Sequence, residues 1–217
     1  LEEKKRLKAL FISDMTVEFD AKNLYEYIAY NLKMSPEMER LLKPWSYEEL
    51  KHADAFRRIL HIVYGLDEQE LLNELQTHDA DFKPFENLLD DEFKICVLLA
   101  YDECSTIIAY RKDSFYEQMG PVAFKKWHRL VIEDEARHLK NAVKLIQYKF
   151  PRRLKELTKV LEDIISMEAV APSYHGTFIF DRSDDAVNNQ PTFYELKVDC
   201  ISRVRKLILG YNLQFTS

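Results

Sequence analysis

Glycine is scarce in this chain, with only four in 217 residues, against an average usage of about 7%. A β-sandwich needs a glycine or proline turn roughly every 8–12 residues, so the shortage excludes that class and points to long helices. Cysteine is also sparse: Cys96, Cys104 and Cys200 form an odd set without a CxxC pair. That excludes a disulfide scaffold and fits a reducing, intracellular setting. The expectation is therefore a cytoplasmic protein, or an organelle stroma if a targeting segment precedes Leu1. No apolar run approaches the ~18 residues of a membrane span. Basic charge is not in excess, with 31 Lys and Arg against 37 Asp and Glu, which disfavours nucleic acid as a partner. What remains is a chain that is 47% hydrophobic and 31% charged, long enough for a sizeable core.

The few Gly and Pro residues fall where helices end. Ser35-Pro36-Glu37 reads as a cap, a first-turn proline and an acidic residue at the positive helix end. Gly65 closes an apolar pattern through Phe56, Ile59, Leu60 and Val63. Gly120-Pro121 separates two long segments. The spacing predicts helices over about 10–34, 36–64, 91–119, 121–149, 151–170 and 191–209, with a short one from Glu68 to Leu75. Pro44 is expected to kink the second helix or split off its first turn. Residues 171–190 read as a loop, with Phe178-Ile179-Phe180 as a weak strand candidate. The whole, 1–217, reads as one all-α domain with a core over about 10–149 and a helical extension over 151–217.

Two Glu-x-x-His words carry the chemistry: Glu49 with His52, and Glu135 with His138. At i and i+3 on a helix the two side chains share a face. Each word lies in a long predicted helix that follows another, and each preceding helix has a Glu on its apolar face, Glu18 and Glu103. Glu18 precedes Glu49 by 31 residues and Glu103 precedes Glu135 by 32. The chain thus reads as two helix hairpins with matching positions. Ala21, Tyr25, Ile28 and Leu32 share the stripe of Glu18; Cys96, Leu99, Ala100, Ile107 and Tyr110 that of Glu103. Trp45, Phe56, Ile59 and Val63 flank Glu49 and His52, and Phe124, Val131, Ala142 and Leu145 flank Glu135 and His138. Inward carboxylates and imidazoles are costly alone, and two divalent metals would offset that cost. One Glu from each of two helices with Glu-x-x-His from two others is the di-iron or di-manganese arrangement of a ferritin-like four-helix bundle with one long crossover. Glu26 is the rival to Glu18, on a less apolar stripe. His128, seven residues before Glu135, is either an added ligand, a neighbour of the ligands, or a partly exposed side chain. His61, His78 and His175 show no ligand spacing and read as ordinary surface or core residues.

The words around these residues resemble the soluble acyl-acyl-carrier-protein desaturases. Those enzymes carry Trp-Thr-x-Glu-Glu-x-Arg-His, and this chain has Trp45-Ser46-Tyr47-Glu48-Glu49-Leu50-Lys51-His52. Their Asp-Glu-x-Arg-His is matched by Asp134-Glu135-Ala136-Arg137-His138. Glu103-Cys104-Ser105-Thr106 is similar to their Glu-Arg-Ala-Thr, with Cys104 where they have Arg. Asp14-Met15-Thr16-Val17-Glu18 resembles Asp-Met-x-Thr-Glu, and Ile165-Ser166-Met167 a further word. The likeness spans about 13–170 and selects the same six ligands: Glu18, Glu49, His52, Glu103, Glu135 and His138. It implies two iron ions, molecular oxygen as co-substrate, an electron donor such as ferredoxin, and often a homodimer. It also implies an electron path through Trp45 and Asp134 to His52, and a part for Thr106 in oxygen handling. Manganese suits the same ligands.

The leading expectation is an oxygen-activating di-iron oxidoreductase that desaturates or hydroxylates an aliphatic acyl chain, free or on acyl carrier protein. Phe56, Phe124, Tyr101 and Tyr110 are tunnel-lining candidates, although such stripes more often pack as core. An acidic carrier would dock on a basic patch, for which Lys125-Lys126-Arg129, Arg152-Arg153-Lys155 and Arg203-Arg205-Lys206 are candidates. The alternatives are a ferroxidase or rubrerythrin-like peroxidase, which the missing CxxC pair disfavours, and a radical-generating oxidase. A non-catalytic helical module would bind no metal.

Overall fold

The computed structural model describes residues 2–112, 122–170 and 193–210, which are mostly helical with no strand among them. Helix α1 spans Glu2–Asn31, α2 Pro36–Tyr64, α3 Glu68–Thr77, α4 Glu86–Leu89 and α5 Glu92–Lys112. Then come α6 at Val122–Lys149, α7 at Leu157–Val170 and α8 at Phe193–Ile208. Short 3-10 turns at Lys83–Phe85 and Pro151–Glu156 lead into α4 and α7, so the stretch after Pro151 is α-helical only from Leu157. Helix α1 starts earlier than the apolar pattern indicates, because Glu2, Glu3, Lys4, Lys5 and Lys8 favour helix without adding periodicity. Pro44 lies inside an unbroken α2. It removes one backbone donor, but the flanking Leu42 and Trp45 are buried and no first turn splits off. Residues 113–119 and the 171–190 segment with Phe178-Ile179-Phe180 lie outside the described residues.

The described residues pack as two compact units, one holding 2–86 and the other 87–169 with 193–210. In the first, α1 and α2 run antiparallel. Phe11 meets Phe56 at 5.7 Å between ring centroids, Glu18 faces His52, and Tyr25 bonds Glu39. Partners step backwards along α2 as the chain advances along α1. The turn between them is set locally: Ser35 Oγ accepts from the Met38 amide at 3.3 Å, capping α2 ahead of Pro36. At its other end Gly65 has φ 70°, and its amide bonds the His61 carbonyl. A Cβ there meets no atom within 4 Å, so Gly65→Ala carries backbone strain alone. The expected cost is about 1 kcal/mol, read as a fall in Tm of about 2–4 °C.

The Tyr25 hydroxyl donates to Glu39 at 2.6 Å, and that bond holds the phenol up at about 12. Since unfolded tyrosine ionises near pH 10, the bond's stabilisation is complete below that value and is lost as pH rises through the folded one. The stability gap between wild type and Tyr25→Phe, from urea midpoints, should stay level up to about pH 10 and close towards pH 12. A gap that does not narrow would disprove the assignment.

The connection from Gly65 to Asp91 is tied back onto α1. Asp67 caps α3 by accepting from the Gln69 and Glu70 amides. After α3, His78 Nε2 donates to Asp20 Oδ2 at 3.0 Å, while Asn23 donates to Oδ1 at 2.9 Å. Asp20 is 0% exposed, and burial raises its carboxyl above the usual range against the pull of His78. His78 is thus more than an ordinary polar residue: it partners a buried carboxylate 58 positions away.

In the second unit, α5 and α6 are also antiparallel. Lys149 bonds Glu92 at 2.7 Å, His138 faces Glu103, and Tyr110 meets His128 at 5.2 Å between centroids. Helix α5 is buried without interruption from Ile95 to Ser105, because α8 packs on it as well as α6. The Gln147 amide donates to the carbonyls of Leu207 and Ile208, satisfying acceptors that a helix end leaves open. The C-terminal extension therefore supplies packing to this unit. Asp91 caps α5 at the Phe93 and Lys94 amides, and Arg153 clamps both Asp91 oxygens at 2.6 Å while lying 4.7 Å over the Phe93 ring. That engages Arg153 structurally, in the middle of one proposed docking patch; Arg203, in another, bonds Asp199.

Candidate metal centre

Each unit gathers one trio of buried ligand-type side chains. In the first, Glu49 and His52 project from one face of α2 because they are three residues apart, and Glu18 meets them from α1. His52 Nδ1 lies 2.9 Å from Glu49 Oε2 and 3.6 Å from Glu18 Oε2. In the second, Glu135 and His138 share a face of α6 and Glu103 comes from α5. His138 Nδ1 lies 3.3 Å from Glu135 Oε2 and 3.7 Å from Glu103 Oε1. All six residues are buried. In both trios the imidazole turns the same nitrogen to the same two kinds of carboxylate. The two are built alike by segments 85 or 86 residues apart.

Within each trio one donor atom from every residue lies within 4.8 Å of the others. A first-row divalent ion bonds imidazole nitrogen and carboxylate oxygen at about 2.0–2.2 Å, which requires its donors within about 4.4 Å of one another. The trios need only a sub-ångström adjustment. Their donors, carboxylate oxygen and imidazole nitrogen, are those that suit iron and manganese. Two buried carboxylates beside one imidazole carry a net negative charge unless protons or a cation offset it, and burial makes that charge expensive. The residues fit a metal ion.

The remaining candidates are placed differently. Glu26 has a side chain 58% exposed and pairs with Lys22 at 2.9 Å, away from the first trio. His128 is buried, not partly exposed: its ring stacks on Phe124 at 6.2 Å and meets Tyr110 edge-on. It is not among the gathered ligand atoms of the described residues. Trp45 is buried on the α2 face two turns before His52. Thr106 is half-buried, one turn past Glu103. Asp134 is half-buried and accepts from Arg137 at 2.6 Å. Phe56, Tyr101 and Tyr110 are buried and Phe124 partly so. Val63 is exposed and Leu145 half-buried, because the apolar stripes drift off the buried face towards the helix ends.

The family model described as Rubrerythrin matches residues 13–146, a span that takes in both trios. The chain belongs to the rubrerythrin family. That membership places it among the ferritin-like di-iron proteins, and its architecture of two helical hairpins, one long connection and further C-terminal helices is the ferritin-like fold. No curated protein and no solved structure matches the chain, and the family match does not support a likeness to the acyl-carrier-protein desaturases in particular. Among the described residues no helix of this rubrerythrin-family protein is long and apolar enough to cross a membrane.

Proposed function

We propose that the two trios hold two iron ions, and that the protein is an oxygen-activating di-iron oxidoreductase supplied with electrons from outside. The observation that carries this is the equivalence of the trios: the same residue types, burial and imidazole orientation on two hairpins of a rubrerythrin-family chain. Bound iron supplies the valence change that reduces an O–O bond. The chain's own residues do the rest. Glu18, Glu49, Glu103 and Glu135 neutralise the ions, while His52 and His138 complete each set. The apolar neighbours Phe56, Ala53, Val131 and Ala142, all buried, keep water from the ligands and strengthen every charge interaction there. Thr106 is proposed to take part in oxygen handling, and Trp45 and Asp134 to form an electron path to His52, on the strength of the desaturase-like words alone.

Those same words support an aliphatic acyl substrate, free or bound to an acyl carrier protein, with a ferredoxin-type donor and a homodimeric assembly. A second reading, peroxide reduction or ferroxidase work, is consistent with the family match over 13–146. Iron-loaded, pre-reduced protein given oxygen and a panel of free and carrier-bound acyl chains should yield a desaturated or hydroxylated product. If the whole panel returns unchanged while hydrogen peroxide reoxidises the protein faster than oxygen does, the acyl reading fails and the peroxidase reading stands.

A further inference from the structure

The likeness of the two hairpins does not stop at their buried faces. Glu49 and His52 on α2 correspond to Glu135 and His138 on α6 at a shift of 86 residues. On the outer side of α2 the same shift carries Arg40, Lys43, Lys51 and Arg58 onto Lys126, Arg129, Arg137 and Lys144. All of these residues are basic and all are exposed. Arg40, Lys51 and Arg58 are separated by 11 and 7 residues, close to whole numbers of helical turns. They therefore stand in one line, with Lys43 beside it, and α6 repeats the line. It is about 27 Å long, comparable with the breadth of a protein docking patch of about 800 Å².

The exposed charges of α2 include no acid, and those of α6 include only Glu133, in a chain with more acid than base. Glu37, Asp54 and Asp134 are half-buried and pair with Arg40, Arg58 and Arg137. Arg40 and Arg58 still keep 70% and 65% of their side chains exposed. Such surface pairs are weak and leave the outside of each helix positive. Position gives the rows a use. Each lies on the back of a helix that presents an imidazole to a trio, with Lys51 directly before His52 and Arg137 directly before His138. One helix, about 10–12 Å thick with its side chains, separates row from trio. Helix α5 offers no such face, being buried from Ile95 to Ser105.

We propose that the two basic rows are docking faces for an acidic one-electron carrier protein, which feeds each trio through its own Glu-x-x-His helix. This names the partner of the di-iron reading and rests on it. Each visit passes one electron: the carrier's reduced centre is oxidised and one ferric ion becomes ferrous, with no bond made or broken. Opposite charge speeds and orients an encounter more than it tightens the complex, which suits a carrier that must leave after every electron.

The probe is a plant-type two-iron ferredoxin, an acidic protein. Carbodiimide coupling of its carboxylates to the folded full chain, mapped by mass spectrometry, should place links at Lys43 and Lys51 on α2 and at Lys126 and Lys144 on α6, with and without iron. Raising the ionic strength from about 0.01 M to about 0.15 M should cut the yield at least tenfold. On the iron-loaded, oxidised chain, reversing both rows (Lys43→Glu, Arg58→Glu, Arg129→Glu and Lys144→Glu) should slow reduction by ferredoxin at least tenfold relative to reduction by dithionite. Lys83→Glu with Lys159→Glu should not change that ratio. Links confined to other lysines overturn the proposal. So does a yield indifferent to salt, or binding of anionic vesicles or duplex DNA to rows that ferredoxin leaves unlinked. A chain that links as expected but takes up no iron defeats the di-iron reading, and the electron step with it. Rows that stay unlinked on an iron-loaded chain defeat the docking proposal alone.

Discussion

Glu135→Ala is expected to lower bound iron from about two ions per chain to about one or fewer, while leaving the metal-free protein as stable as the wild type. Glu135 is buried with an oxygen 3.3 Å from the His138 imidazole. Without metal, its carboxylate carries a desolvation cost that the imidazole only partly offsets. Removing it relieves that cost and leaves a small cavity, two effects of opposite sign. With metal the balance reverses, since a ligand is lost outright. Loss of groups that merely orient ligands costs about 10–100-fold in affinity, so loss of a ligand should exceed about 100-fold. Iron at 100 times its dissociation constant stabilises the wild type by about 2.7 kcal/mol, or about 5–10 °C in Tm. Glu135→Ala should show almost none of that shift, and Glu135→Gln, which keeps the volume, should behave alike. Metal content by elemental analysis and paired melts with and without iron give both readings. A wild type that binds no iron, or melts at the same temperature with and without it, would sink the metal-centre reading.

Phe56→Ala should be the most damaging substitution in the first unit, at about 3–5 kcal/mol. The ring is 0% exposed and packs 5.7 Å from Phe11, across the α1–α2 contact. It lies one turn past His52, so the same ring walls the first trio. The urea midpoint should fall with an unchanged slope, and iron should still bind at low temperature because every ligand remains. A loss below about 1 kcal/mol would mean the site tolerates an empty volume, as a tunnel-lining residue would.

Much of this protein is legible in one dimension because its chemistry repeats at helical spacing. Glu-x-x-His places two ligands on one face whatever else the chain does, and a matching Glu 31 or 32 residues earlier lies on the preceding helix. Ser35-Pro36 and Gly65 mark helix ends through local backbone chemistry, so they were readable too. Charged residues such as Glu2 and Lys4 hid the start of α1, since a helix turn without apolar residues has no period to detect. His78 gave no signal, because its partner Asp20 is 58 residues distant and no spacing rule links the connection to α1. For His128 the spacing leaves open an added ligand, a neighbour of the ligands or a partly exposed side chain; only the packing of Tyr110 and Phe124 shows that it is buried.

By itself the sequence determined the helical class and singled out the two Glu-x-x-His words with a Glu on each preceding helix, since helix ends and shared faces follow from spacing within a few turns of one helix. Tertiary structure alone decided what faces those helices. It closed Glu18 onto His52 and Glu103 onto His138, turned Glu26 out to Lys22, and laid α8 along α5 so that Cys200 reached the carbonyl of Tyr101. Those outcomes depend on register and crossing between helices far apart in the chain, where burial of apolar surface is non-directional and only the complete packing selects one arrangement.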